Sequence, residues 1–138
     1  MRDSFHDDLD GIGTSLVEMG HLVNKAMERA TTALLTADLK VAEEIISEDD
    51  AIDDMQHDIE ARAINLMARQ QPVAGDLRTL VTSLRMSADL ERMGDLAHHV
   101  AKLTRMRYPA AAVPPELVLT LQEMGNVTAR ITQKAIGV

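Results

Sequence analysis

The seven residues QQPVAGD (Gln70–Asp76) separate two long segments that both carry helical patterns. Proline lacks the amide hydrogen that a helix interior needs, so Pro72 predicts the end of the preceding helix. Gly75 adds a second helix-breaking residue, and Asp76 is a residue type that caps the start of the next helix. We therefore expect two helices that fold back on each other as an antiparallel hairpin turning near Pro72.

Both arms of the hairpin show helical periodicity. The first arm is predicted from Leu39 to Gln70 and the second from Asp76 to about Arg107. The large apolar residues of the first arm recur every seven positions and are Ile45, Ile52, Ile59 and Leu66. The apolar stripe of the second arm consists of Leu77, Val81, Leu84 and Ala88. Such seven-residue repeats are typical of long helices that pack side by side.

A further helix is predicted on either side of the hairpin, and no segment has the alternation of a strand. The upstream helix runs from about Asp8 to Leu35, and Asp38 is placed to cap the helix that follows. Its two apolar rows are Leu9, Leu16, Val23, Ala30 and Ile12, Met19, Ala26, Ala33. The downstream helix begins at Pro115 or Glu116. The predicted fold class is all-α, with an antiparallel three-helix bundle.

The fourth predicted helix repeats the sequence of the first. Ser15–Ala30 (SLVEMGHLVNKAMERA) aligns with Thr120–Ala135 (TLQEMGNVTARITQKA) at a constant offset of 105, with EMG in the same register. We interpret this likeness as a true repeat. Residues 1–108 then form one three-helix unit, 109–115 a Pro-rich linker, and 116–138 the first helix of a second, truncated unit. The alternative is that two heptad helices resemble each other without being repeats.

The amino-acid composition excludes some kinds of metal site and disfavours some kinds of partner. The chain has 138 residues, of which 46% are apolar, with one Phe, one Tyr, no Trp and nine Met. The lack of cysteine excludes disulfides and thiolate metal sites. A net charge of −8 disfavours nucleic acid as a partner and favours a multivalent cation or a basic protein surface. No apolar run is long enough to span a membrane, so we expect a soluble, untargeted protein.

Carboxylates interrupt the helical stripes of the hairpin. On the second arm the apolar stripe continues into Glu91 and Asp95, which are therefore predicted to replace apolar residues on the packing face. On the first arm Asp49 and Asp53 flank Ile52. The acidic pair on each arm is spaced four residues apart, so its two side chains share one helix face.

Hairpin geometry places the two acidic pairs opposite each other. In an antiparallel hairpin that turns near Pro72, facing residues have numbers that add up to about 144. Asp53 with Glu91 and Asp49 with Asp95 both meet this condition. Four carboxylates should therefore lie at one level, about 30 Å from the bend at 1.5 Å per residue.

Four clustered carboxylates need protons or positive charge nearby. Oxygen-only ligands suit hard ions such as Mg²⁺, Ca²⁺ and Mn²⁺, and iron is a further candidate. Helical bundles carry carboxylate metal sites on their inward faces. The alternative is a surface ion-pair network in which Arg62, Arg85 or Arg92 neutralises the carboxylates. Composition and spacing leave both interpretations open.

The histidines and the known catalytic motifs give little further evidence about the function. His57, His98 and His99 could supply further ligands, whereas a solvated surface position is the commoner fate of a histidine. The Glu-x-x-His arrangement of di-iron bundle proteins is missing from both hairpin helices. No nucleophile–base constellation and no glycine-rich phosphate loop is visible in the sequence.

The segment Glu48–Lys102 resembles the PhoU family of bacterial regulators of phosphate uptake. Four elements carry the resemblance: the acidic ED…ID segment, the QQPVAGDLR bend, the DLERMGD segment and the repeat of a three-helix unit. The resemblance covers the whole chain but only about half of a usual family member, which holds two three-helix units. The family's E/D-x-x-x-D motifs map onto Asp49–Asp53 and Glu91–Asp95.

The resemblance implies a function. Those motifs hold multinuclear metal sites in some family members, which implies metal ligands at Asp49, Asp53, Glu91 and Asp95. The ion is divalent or ferric, with Fe, Mn, Zn, Mg and Ca not distinguished. Family members are not enzymes. They are cytosolic negative regulators of the phosphate-starvation response, linking the ATPase-driven phosphate ABC transporter to a membrane sensor histidine kinase. They associate peripherally with the membrane through these partners and often form homodimers.

Two other functions remain open from the sequence. One is a metalloenzyme that uses the same carboxylates, and the other is a helical scaffold protein without metal. The first predicts turnover that depends on Glu91. The second predicts that Glu91→Leu stabilises the protein without affecting partner binding.

Overall fold

The computed structural model describes residues 2–137, apart from the side chains at positions 2, 3 and 70. This part of the chain forms helices and contains no strand. The elements are α1 (Arg2–Thr36), α2 (Leu39–Gln70), α3 (Ala74–Arg107), a 3-10 turn (Pro115–Leu117) and α4 (Val118–Ile136). Helices α1, α2 and α3 each contact the other two, and α4 packs on α1. The all-α prediction with a three-helix bundle is confirmed.

The turns of the bundle follow from local chemistry. The predicted cap at Asp38 is present, because its carboxylate accepts a hydrogen bond from the Val41 amide at 3.1 Å. After α2, Gln71 adopts a left-handed conformation with φ 41°. The prediction that Asp76 caps α3 is wrong, since α3 already begins at Ala74. Asp76 instead lies in the first turn, where its negative charge stabilises the helix dipole.

The apolar rows of α1 and α2 form the core as predicted. All four residues of the α2 row are buried. Of the eight residues in the two α1 rows, six are buried, and Leu9 and Ala26 are half-buried and pack against the core. The α2 row is Ile45, Ile52, Ile59 and Leu66. Heptad spacing on two long helices therefore positions the hairpin against α1.

The predicted stripe of α3 is wrong at three of its four positions, and Leu84 alone of the four packs against the core. Leu77 and Val81 are 41% and 37% exposed, and Ala88 is also exposed. The face that packs inward consists mostly of small and hydroxyl residues: Leu80, Ser83, Ser87, Gly94, Ala97, Ala101 and Thr104. Burial of the two serines is inexpensive because their hydroxyls donate to carbonyls of their own helix, at 2.9 Å and 2.8 Å. Small side chains allow α3 to lie close to its neighbours.

Helices α1 and α4 pack through matched glycines. A Cβ on Gly20 would lie 2.8 Å from Ile136 Cγ1, and one on Gly125 would lie 2.8 Å from Thr31 Cγ2. Both glycines, and also Thr31 and Ile136, are related by the offset of 105 residues. The two contacts are therefore equivalent, and the helices run antiparallel about a local twofold axis. This symmetry supports a repeat, and the assignment of 116–138 to a second unit stays a prediction.

No helix within residues 2–137 combines the length and the apolar character of a membrane-spanning segment.

Candidate functional site: an acidic cluster between α2 and α3

The structure brings together the four carboxylates that the sequence predicts as a cluster. One side-chain oxygen each from Asp49, Asp53 and Asp95 lie within 4.8 Å of one another. Glu91 interacts with the carboxylates of Asp95 and Asp53. All four side chains are half-buried. The hairpin arithmetic is therefore right about which residues meet.

The packing of the acidic side chains differs from the sequence prediction. Glu91 and Asp95 do not replace core residues of α3. Glu91 follows Leu90, which packs against the core, and Asp95 follows the buried Gly94, so both acids lie at the edge of the face that contacts α2. This position matters because the cluster remains partly accessible to ions from solvent while its oxygens are shielded by two helices.

Gly94 allows the two acidic pairs to approach. It lies between Glu91 and Asp95, and a Cβ at this position would be 3.2 Å from both Cδ1 and Cγ2 of Ile52. Ile52 is buried and lies between Asp49 and Asp53 on α2. Because these distances are shorter than an ordinary van der Waals contact, any side chain at this position would require Ile52 to move, so Gly94 permits the close approach of α2 and α3 at the level of the carboxylates.

Gly94→Val is expected to destabilise the protein by about 1–3 kcal/mol, because a branched side chain overpacks the contact with Ile52. The control is Gly13→Val, since no atom lies within 4 Å of a Cβ at Gly13. Urea unfolding of both variants measures the difference. Equal stability of the two would show that α2 and α3 tolerate a wider separation.

Electrostatics in the cluster favour uptake of a proton or a cation. Burial raises the pKa of Glu91, and contacts with the carboxylates of Asp95 and Asp53 raise it further, to about 7. Burial also raises the pKa of Asp49, although the neighbouring His98 partly offsets this change. The cluster therefore holds less than its full negative charge at neutral pH unless positive charge is supplied.

His98 is the nitrogen ligand candidate that lies at the cluster. Its Nδ1 is 2.9 Å from Oδ2 of Asp49, and the two side chains are only 18% and 13% exposed. His98 follows Asp95 by three residues, which places both on one face of α3. His57 and His99 are exposed, so the structure separates three histidines that the sequence presents alike.

The arginine alternative is not supported by the described contacts. Arg62 donates to Ser15 Oγ at 2.9 Å and to Asp58 at 3.3 Å. Arg85 and Arg92 are exposed. Among residues 4–137, no ion pair joins any of these arginines to the four clustered carboxylates. The described side chains therefore give no arginine network that balances the charge of the cluster.

The cluster fits an oxygen-ligated cation. Oδ1 of Asp53 is buried and has no hydrogen-bond partner within the described part of the chain, although a buried carboxylate oxygen normally has one. Three converging carboxylates match the preference of hard cations for oxygen ligands. Positive charge bound here would offset the repulsion between the carboxylates and would give the unpaired oxygen of Asp53 a partner.

Comparisons with known proteins identify the family of the chain. A profile of the PhoU domain matches residues 16–104, which include both acidic motifs and the hairpin bend. The chain belongs to the PhoU family. It is 45% identical over 135 residues to the phosphate-specific transport system accessory protein PhoU homolog 2 of Mycobacterium tuberculosis, covering 98% of this chain and 63% of the relative.

More distant PhoU relatives show the same partial coverage. A homolog from Clostridium acetobutylicum is 44% identical over 102 residues, covering 73% of this chain and 47% of the relative. The crystal structure of PhoU from Pseudomonas aeruginosa matches with a TM-score of 0.84 and 30% identity, covering 96% of this chain and 63% of that chain. PhoU from Streptococcus pneumoniae gives the same score and identity, with 96% and 61% covered. The chain thus spans less than two thirds of the length of these relatives.

Proposed function

We propose that this protein is an accessory regulator of phosphate transport. The observation that supports it most directly is the 45% identity, over 98% of the chain, to a relative named as an accessory protein of the phosphate-specific transport system. In this proposal the protein is a cytoplasmic negative regulator of phosphate uptake and of the phosphate-starvation response. It links the ATPase subunit of the transporter to a sensor histidine kinase, acts as a homodimer and reaches the membrane through these partners.

The proposal includes a metal site at Asp49, Asp53, Glu91 and Asp95. A divalent or ferric ion bound there would supply positive charge that offsets the repulsion between the four carboxylates. Asp49 and Asp53 hold the α2 side of the site, and Glu91 and Asp95 hold the α3 side. Because these residues join the two arms of the hairpin, they couple occupancy of the site to the rigidity of the surface that α2 and α3 present to partners.

Expression of this protein in a mycobacterium that lacks its own PhoU homologs is expected to restore repression of the starvation response. In phosphate-rich medium, a starvation-induced reporter should fall at least tenfold relative to the empty vector. Ile59→Asp serves as a control, because it places an unpaired charge in the core and prevents folding. An unchanged reporter, with the protein present at wild-type abundance, would contradict the regulatory role.

The other two functions make different predictions. A metalloenzyme predicts turnover of a phosphate ester or of a redox substrate by the metal-loaded protein, and loss of that turnover in Glu91→Ala. A plain scaffold predicts that Glu91→Leu raises stability and leaves co-purification with the transporter ATPase subunit intact. The clustered acids and the orphaned Asp53 oxygen favour the metal-binding regulator over the scaffold.

A further inference from the structure

We propose that His98 is a positioning residue for the acidic cluster, acting through Asp49 rather than as a metal ligand. This inference rests on the proposed metal site. Nδ1 of His98 lies 2.9 Å from Oδ2 of Asp49, which is hydrogen-bonding distance. The bond joins α3 to α2 at the level where Asp49, Asp53 and Asp95 converge.

The chemistry of the two groups decides which atom donates. An ionised carboxylate only accepts hydrogen bonds, and a neutral imidazole carries its proton on one nitrogen. The contact with an ionised Asp49 therefore requires a proton on Nδ1 of His98, as in the neutral Nδ1-protonated tautomer or in the imidazolium. Nε2 is buried and has no hydrogen-bond partner among the described residues, so no competing acceptor pulls the proton to that nitrogen.

Burial makes the hydrogen bond a structural constraint. His98 and Asp49 are shielded by the helices that carry them, and the ring of His98 stacks on that of His99 with centroids 6.4 Å apart. A carboxylate that accepts a bond from a fixed imidazole keeps one orientation instead of sampling several rotamers. His98 therefore presents Asp49 to the site in a fixed orientation, and this lowers the entropy lost when an ion binds.

Two substitutions separate positioning from ligation. In His98→Asn the side-chain amide can donate to Asp49 from nearly the place of Nδ1, but it is a poor ligand for a transition metal. His98→Leu removes the donor at similar volume. His99→Asn is the matched control, because His99 is the exposed neighbour and does not contact the carboxylates.

The experiment is calorimetric titration with Mn²⁺ alone on the four full-length forms of the chain, with circular dichroism to compare their helix content. Loss of a hydrogen bond to a metal ligand typically costs 10–100-fold in affinity. We therefore expect His98→Leu to bind Mn²⁺ about 10–100-fold more weakly. His98→Asn and His99→Asn should stay within about threefold of wild type, since both retain the donor to Asp49.

Three results would overturn the proposal. Wild-type affinity in His98→Leu would show that the hydrogen bond does not position Asp49. An affinity in His98→Asn as low as in His98→Leu would make the imidazole itself a ligand.

The third result comes from ¹⁵N NMR of the metal-free protein, which reports the tautomer directly even if Mn²⁺ does not bind or a variant does not fold. A proton on Nε2 instead of Nδ1 would contradict the inference, whereas lack of Mn²⁺ binding with a proton on Nδ1 would contradict only the proposed metal site.

Discussion

The double variant Glu91→Ala and Asp95→Ala is expected to lose metal binding and to remain folded. The substitutions leave the two α2 carboxylates without their partners on α3, so the remaining ligands come from one helix only. We expect at least a 100-fold loss of affinity, since two ligands are removed and loss of even an outer-shell partner typically costs 10–100-fold. Elemental analysis and Mn²⁺ titration measure this loss.

Folding of the double variant should be unimpaired, because Glu91 and Asp95 lie at the edge of the buried face of α3 and not within the core. Removing them also relieves repulsion with Asp53 and Asp49. In wild type, an ion at 1,000 times its dissociation constant should add about 4 kcal/mol to the free energy of unfolding. The variant should gain none of this stabilisation, which thermal unfolding with and without Mn²⁺ will show.

Asp50→Ala with Asp54→Ala is the matched control for the double variant. Both residues are acidic, exposed, four residues apart and on α2, so the control removes the same charge and the same spacing. It should bind metal like wild type. A collapse of helix content in Glu91→Ala and Asp95→Ala would make these residues structural, and retained metal would place the ion elsewhere.

The sequence predicted α2, the hairpin and the apolar rows of α1 well because their signals are large side chains at regular spacing. The start of α1 was predicted near Asp8, whereas the helix begins at Arg2. The row from Ile45 to Leu66 needs no knowledge of the partner helix, and the predicted bounds of α2 agree with the structure. The facing of the acidic pairs was also predictable. In a tight hairpin the position of the turn alone determines which residues lie opposite each other.

The face of α3 was not predictable by counting apolar residues. Ser83, Ser87 and Gly94 are buried because a close helix contact requires small side chains, whereas Leu77 and Val81 remain exposed. Serine is compatible with burial once its hydroxyl bonds to its own helix, so a polar residue can occupy a core position without a partner on another helix. The buried face of α3 therefore differs from the predicted apolar stripe. This difference explains why Glu91 and Asp95 flank the core instead of interrupting it.

The contact between His98 and Asp49 could not be predicted from the sequence either. His57, His98 and His99 have similar spacing relative to the acidic motifs, and only the rotation of α3 about its axis brings one of them to Asp49. That rotation is set by the small residues on the buried face. The error in the predicted stripe of α3 therefore also prevents a correct prediction of which histidine lies at the acidic cluster. It does not affect the predicted position of the carboxylates along the hairpin, which depends only on the position of the turn.

The metal-free protein is expected to lose stability as the pH rises from about 4.5 to about 7. Glu91 has an ordinary pKa of 4.5 and a pKa of about 7 in the folded protein. Between these values the folded state holds a proton that the unfolded state has released. Because the folded state binds more protons than the unfolded state in this range, the free energy of unfolding falls as the pH rises. The raised pKa of Asp49 acts in the same direction.

The size of this effect follows from the shift of Glu91. One pKa unit corresponds to about 1.4 kcal/mol, and partial exposure of the group reduces the full value through solvent screening, so we expect a loss of about 1–2 kcal/mol. The contribution is fully present below pH 4.5 and is lost once the pH passes about 7. Urea unfolding in the presence of a chelator at pH 5 and pH 8 measures it.

Glu91→Gln should remove most of this pH dependence. Glutamine keeps the shape of the protonated carboxyl group and cannot ionise, so the variant should match wild type at pH 5 and exceed its stability at pH 8 in the absence of metal. Asp54→Asn is the control, because Asp54 is exposed and lies outside the cluster. A wild-type profile that Glu91→Gln leaves unchanged would mean that other groups cause the pH dependence.

Metal should reverse the sign of the pH dependence in wild type. Carboxylates must be deprotonated to bind an ion, so affinity should rise with pH over the range in which the metal-free fold weakens. With saturating Mn²⁺, stability at pH 8 should therefore exceed that at pH 5, and Glu91→Gln should show a smaller gain. The same carboxylates would then account for the pH dependence of stability both without and with metal. Without metal they repel one another at high pH and destabilise the fold, whereas a bound cation attracts them and stabilises it.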